Sequence, residues 1–96
     1  MVEKIKINIP NYIVDIDKDK CIINDKEIYI NKEDIDGIIR IIRNWKNEYR
    51  GFIPSGNEYN IVINSDGKEY IYKFINAFPD DFFILNTFLG GLYDRK

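Results

Sequence analysis

Apolar and polar residues alternate over the first 30 residues, and this two-residue period is the strongest constraint on the fold. Isoleucine occupies every second position from Ile5 to Ile9, with lysine and asparagine between, as in a strand with one buried face. The alternation is interrupted at Pro10-Asn11, again over residues 17–20, and at Asn24-Asp25. The sequence therefore predicts four short strands joined by tight turns.

The period changes to 3.6 residues after Asn31, which is a favourable helix N-cap followed by acidic residues in the first turn. Apolar side chains then recur at helical spacing and form one stripe: Ile35, Ile38, Ile39, Ile42, Trp45 and Tyr49. Gly51 follows as a plausible residue after the helix end. This pattern predicts a helix from about residue 32 to residue 49.

Asp66-Gly67 is the strongest turn signal, because this pair supplies the positive φ angles that a two-residue hairpin turn needs. A turn centred there pairs Ile63 with Tyr70 and Ile61 with Tyr72. A second helix is predicted to begin at Pro79 and to end at Gly90-Gly91.

The predicted order is ββββ-α-ββ-α, an α+β fold in which two helices pack on a mainly antiparallel sheet. With 96 residues and no linker or repeat, we expect residues 1–96 to form a single α+β domain.

The side-chain repertoire excludes several kinds of catalytic site. The chain has no histidine and one cysteine, Cys21, so it has no Ser-His-Asp triad, no Cys-His pair, no histidine-ligated zinc and no disulfide framework. A net charge of −2 does not favour a nucleic-acid partner. We therefore expect no catalytic residues, no metal and no cofactor, and we predict that the protein is not an enzyme.

Two acidic motifs resemble metal sites but lack residues that such sites need. Asp15, Asp17 and Asp19 begin like a calcium-binding loop, but Lys20 and Lys26 occupy the positions that require glycine and glutamate. Asp66-Gly67-Lys68 matches part of a nuclease signature, but Asp-Gly is better explained by the hairpin turn.

Aromatic and arginine side chains, which are enriched at the energetic centres of protein interfaces, concentrate in the last part of the first predicted helix and just after it. The candidate partner-binding residues in this stretch are Arg43, Trp45, Tyr49, Arg50, Phe52 and Ile53. The alternative is an ordinary solvated helix face with core aromatics.

The second helix is apolar almost all round, so Phe83 and Ile84 point partly away from the stripe that faces the sheet. Three explanations are open: a fully covered core helix, the seam of a homodimer, and a docking face for another protein. Phe83 and Ile84 complete the predicted partner-binding set.

These observations predict a small non-catalytic protein that acts by protein–protein binding. Half of the chain is Ile, Asn, Lys and Tyr, which have AT-rich codons, so we expect a low-GC bacterium or its phage. By analogy, the protein is expected to be a phage or mobile-element inhibitor of a host system. The alternative is a small-ligand, nucleotide-like binding protein with a Tyr/Phe-lined aromatic pocket at the sheet edge. Tyr59, Tyr70 and Tyr72 could separately form a platform that stacks bases, but they are better explained as core aromatics on a strand face.

The sequence also bears on the compartment. No apolar run approaches the about 18 residues needed to span a bilayer, and the first residues contain no hydrophobic leader. Together with the lone Cys21, this predicts a cytoplasmic location without membrane association.

Overall fold

The computed structural model describes residues 2–52 and 56–95. Its elements are β1 (Val2–Ile9), β2 (Tyr12–Asp17), β3 (Lys20–Ile23), β4 (Lys26–Tyr29), α1 (Lys32–Ile42), β5 (Glu48–Arg50), β6 (Glu58–Ser65), β7 (Lys68–Ile75) and α2 (Phe82–Tyr93). The predicted α+β fold is confirmed, with one additional strand, β5, between α1 and β6.

The seven strands form one sheet in the order β4-β3-β2-β1-β6-β7-β5, antiparallel except for the parallel pair β5–β7. The four predicted N-terminal strands form a meander with two-residue turns. Positive φ angles at Asn11, Lys18, Asn24 and Asp25 allow these turns to be tight. The alternating isoleucines of β1 are buried and its lysines are exposed, as the two-residue period predicts.

The β6–β7 hairpin has the predicted register, with Ile63 opposite Tyr70 and Ile61 opposite Tyr72. Asp66 and Gly67 form its turn with φ angles of 52° and 79°, both in the left-handed region that this turn type requires.

Both helices cover the same face of the sheet and run in opposite directions. The start of α1 meets the end of α2, where Arg95 binds Asp34, and the segment after α1 meets the start of α2, where Trp45 binds Asp81. Isoleucine from the strands and from α1, and leucine from α2, fill the space between helices and sheet. Neither helix is long and apolar enough to cross a membrane within the described residues.

The predicted helix over residues 32–49 is wrong in its C-terminal half, because α1 ends at Ile42. The chain turns through Trp45 and continues as β5, which adds a parallel strand to β7. The Lys73 amide donates to Asn47 O, and the Gly51 amide donates to Ile75 O, both at 2.8 Å. Pairing with the edge of the sheet thus overrides the local helical period, so Gly51 follows a strand rather than a helix.

The predicted bounds of the second helix are also wrong. It begins at Phe82, three residues after Pro79, and continues through Gly90-Gly91 to Tyr93. Gly90 faces the ring of Tyr12, and a Cβ at Gly90 would lie 2.9 Å from the Tyr12 hydroxyl oxygen. The glycine therefore allows a close approach of helix and sheet instead of ending the helix.

Candidate interaction surface

A cluster of aromatic rings holds the start of α2 against the sheet. The Phe78 and Phe82 ring centroids are 4.3 Å apart, and Phe74 of β7 lies 5.4 Å from Phe78 and 5.8 Å from Phe82. Trp45 lies 6.0 Å from both Phe74 and Phe82. Such edge-on, tilted and stacked contacts add to the energy of area burial, so the first turn of α2 is firmly anchored.

Trp45 belongs to this core cluster, which corrects its prediction as a partner-binding residue. Its side chain is only 7% exposed, and its indole N–H donates a 2.8 Å hydrogen bond to Asp81 Oδ1. Asp81 is the N-cap residue of α2 and makes no side-chain cap bond to the helix. Trp45 therefore fixes the entry of α2 instead of presenting a ring to a partner.

The two residues that follow Phe82 are the large apolar side chains that α2 presents to solvent. Phe83 is 65% exposed and Ile84 is 42% exposed, whereas Leu85, Leu89 and Leu92 on the opposite side are buried. The explanation of α2 as a fully covered core helix is therefore wrong for the chain by itself. A homodimer seam and a docking face for another protein remain.

Phe52 lies at the same end of the sheet as the start of α2. It follows β5, which runs parallel to β7, and the Gly51 amide is bonded to Ile75 at the end of β7. The chain leaves β7 at this end and enters α2 a few residues later. The side chain of Phe52 is fully exposed. We call Phe52, Phe83 and Ile84 the apolar end surface.

The remaining predicted contact residues are divided between this end and the rest of the molecule. Tyr49 is half-buried, with its ring stacked 5.9 Å from Phe74 and its hydroxyl accepting the Lys46 amide at 3.0 Å. Arg50 is exposed and pairs with Glu48 at 3.5 Å. Because Tyr49 between them faces Phe74 in the core, this charged pair lies on the face of the sheet away from the helices. Ile53 lies outside the described residues.

Arg43 lies at the opposite end of the strands from the apolar end surface. It caps the C-terminus of α1 and lines a cavity with Val2 at the start of β1 and Tyr70 near the start of β7. The structure therefore places Arg43 apart from the other predicted contact residues.

The acidic motifs have the structural roles that their spacing favours. Asp17 ends β2 and forms an exposed ion pair with Lys4 at 3.8 Å, while Lys18 and Asp19 form the turn. Among the residues the structure describes, no group of three or more cysteine, aspartate or glutamate side chains is placed to hold a metal ion.

The sequence reasoning missed Phe78 as a member of the aromatic cluster, since it lies outside any predicted element. It also missed the hydrogen bonds at the C-terminal end of α2. Lys26 Nζ donates to Tyr93 O at 2.7 Å, and Arg95 makes two bonds to Asp34. Only a C-terminal basic residue near a helix end could have suggested them.

Comparison with protein-family models, with curated proteins and with solved structures gave no match, so the function is argued from the surface itself.

Proposed function

We propose that this chain is a small non-catalytic protein that acts in the cytoplasm by binding another protein through the apolar end surface. The observation that carries the proposal is the exposure of Phe83 and Ile84 on a helix whose other side is fully packed. The non-catalytic part of the proposal rests on the absence of histidine and the scarcity of serine, threonine and cysteine in the sequence.

The energetics of these side chains favour a contact role. Burying a phenylalanine or isoleucine side chain contributes about 1.5–3 kcal/mol relative to leaving it in water. Because Phe82 is fixed among aromatic rings, the helix that carries Phe83 is already ordered, so little conformational entropy is lost on binding.

A more specific form of the proposal is that the partner belongs to a host system that this protein inhibits, as a product of a phage or mobile element. Its support is the AT-rich residue usage and the small size of the chain, together with a surface suited to occupying a partner's site. A second copy of the chain is the competing occupant.

The test compares two variants of matched exposure. Phe83→Ser removes the centre of the apolar end surface, whereas Ile13→Ser changes an isoleucine that is 66% exposed on the opposite face of the sheet. Each tagged protein is used to capture partners from a lysate of the source organism, and the captured proteins are quantified by mass spectrometry.

We expect wild type and Ile13→Ser to retain the same protein, and Phe83→Ser to retain at least about tenfold less, which corresponds to a hot-spot loss of about 1.4 kcal/mol or more. Equal retention by all three would refute the role of this surface. Sedimentation of the purified protein distinguishes a homodimer from a monomer that binds a different protein. If wild type is a homodimer through this surface, Phe83→Ser should convert it to a monomer.

A further inference from the structure

A cavity of about 250 Å³ lies between α1 and the β6–β7 hairpin, at the end of the sheet opposite the apolar end surface. Seven residues line it: Val2, Ile39, Arg43, Ile63, Ser65, Tyr70 and Tyr72. Isoleucine and valine side chains form its apolar walls, and two tyrosines and an arginine supply most of its polar chemistry. A few convergent polar groups in an apolar concavity are the usual composition of a small-molecule site.

Tyr72 brings a hydroxyl group to the lining of this cavity. The residue is only 9% exposed, so its ring is held among its neighbours on the sheet. A tyrosine in this position presents an apolar ring and a polar hydroxyl to the same concavity. Burial, and to a smaller extent the neighbouring Tyr70, raises the pKa of Tyr72, so the hydroxyl stays protonated and is available as a donor.

Two further groups stand at the mouth of the cavity. Tyr70 is half-exposed and lies two residues before Tyr72 on the same face of β7, so its ring can cover one side of a flat ligand. Arg43 is exposed, and its guanidinium has no ion pair with any described residue. An unpaired guanidinium binds a carboxylate or phosphate with two parallel hydrogen bonds.

Asp36 lies near Arg43 on the outer side of α1, in a separate depression that also includes Ile39 and Arg40. Arg43 is the cationic side chain that lines the cavity itself, so an anionic group of a ligand would meet it at the mouth.

We propose that this cavity binds a small planar aromatic anion, a single ring that carries a carboxylate or phosphate group. The ring lies among Ile39, Ile63 and Tyr70, the Tyr72 hydroxyl donates a hydrogen bond to a ligand acceptor, and Arg43 pairs with the anionic group.

The cavity volume indicates which part of a ligand it encloses. At about 250 Å³ it is smaller than the roughly 300–1,000 Å³ of sites for drug-sized molecules, so a single ring fills it and the rest of a larger ligand would lie outside. This proposal narrows the sequence-based expectation of a nucleotide-like ligand. It is independent of the apolar end surface, because the two sites share no residue.

The test is an NMR titration of the isotope-labelled protein with benzoate and with phenyl phosphate. The variants are Tyr72→Phe, which removes only the hydroxyl, and Arg43→Gln. Their matched controls are Tyr29→Phe, on the exposed edge strand β4, and Arg40→Gln, one turn earlier on α1. The spectrum of each free variant shows whether it is folded.

We expect saturable shifts for at least one probe at residues lining the cavity, with the same affinity in the two controls. Tyr72→Phe should weaken binding about fivefold and Arg43→Gln about tenfold or more, as for a neutral and a charge-assisted hydrogen bond. The absence of saturable binding by both probes, or equal weakening by Arg40→Gln, would overturn the proposal. Tighter binding of AMP than of phenyl phosphate would contradict the assignment of a single-ring ligand.

Discussion

The ion pair between Arg95 and Asp34 connects the two helices, and its removal should destabilise the protein by a predictable amount. Arg95 donates two hydrogen bonds to the Asp34 carboxylate, at 2.6 and 2.8 Å. The same carboxylate accepts the Asn31 amide at 3.0 Å and so completes the cap of α1. Arg95→Gln removes the charge of the partner and leaves the cap in place.

The magnitude follows from the burial of the two groups. The Asp34 side chain is 10% exposed, while that of Arg95 is 44% exposed. The energy of this ion pair should therefore lie between that of a surface pair and that of a buried pair. Exposed pairs contribute about 0–1 kcal/mol, and breaking a buried pair costs about 3–5 kcal/mol. We therefore expect Arg95→Gln to lower the free energy of unfolding by about 2 kcal/mol at pH 7.

The stability that Arg95→Gln removes should become smaller as the pH falls. The two hydrogen bonds from Arg95 lower the pKa of Asp34 from its ordinary 3.8, the Asn31 amide lowers it further, and burial opposes both. A carboxylate whose pKa is lower in the folded state stabilises the protein above the unfolded pKa. The contribution should thus be complete above about pH 5 and decline as the pH falls below about 4.

Urea unfolding followed by fluorescence of the single tryptophan, Trp45, measures this effect. With a urea m-value of about 1.2 kcal/mol/M, the midpoint of Arg95→Gln should fall by about 1.7 M at pH 7. Arg40→Gln on the exposed face of α1 is the control and should change stability by less than about 0.5 kcal/mol. An unchanged midpoint for Arg95→Gln would refute this reasoning. So would a loss of unfolding free energy, relative to wild type, that is as large at pH 3 as at pH 7.

Two further predictions concern backbone conformation and thiol chemistry. Gly91→Ala should stabilise the protein by about 0.5–1 kcal/mol, because Gly91 lies within α2 with open space around it, whereas Gly67→Ala should destabilise it by about 1 kcal/mol because φ is 79° there. Thermal melts measure both, and a destabilised Gly91→Ala would contradict the continuation of α2 past Gly90. The Cys21 thiol is fully buried, and its pKa is raised to about 11, first by burial and then by the negative charges of Asp34 and Asp15. Native protein at pH 8 should therefore react with a disulfide reagent such as DTNB only as fast as it unfolds, and immediate reaction would contradict this burial.

The strands could be predicted because their signals are local. A two-residue period defines each buried face, and residues such as Asn11, Asn24 and Asp66 tolerate the positive φ angles of tight turns. The Asp66-Gly67 turn also sets the hairpin register, since the turn length determines which residues face each other.

The ends of the helices could not be predicted, because long-range contacts determine them. Trp45 and Tyr49 continue the apolar spacing of α1, but Tyr49 belongs to a strand that pairs with β7. Gly90 resembles a helix stop, yet its missing side chain accommodates Tyr12 from β2. Neither contact leaves a signal in the neighbouring sequence.

The candidate surface was partly predictable for the same reason. Helical geometry alone places Phe83 and Ile84 on the side of α2 away from Leu85 and Leu89. The structure shows both side chains exposed, which the sequence left open. The composition of the segment after α1 could not distinguish a buried aromatic, Trp45, from an exposed one, Phe52.

The most direct test of the apolar end surface is photo-crosslinking in cells of the source organism. A benzophenone amino acid is placed at Phe83 in one protein and at Ile13 in a second, since the two native side chains have nearly equal exposure. We expect a discrete adduct with another protein from position 83 and none from position 13. No adduct from position 83, the same adduct from both positions, or an adduct at twice the 11.4 kDa of the chain would contradict binding of a different protein at this surface.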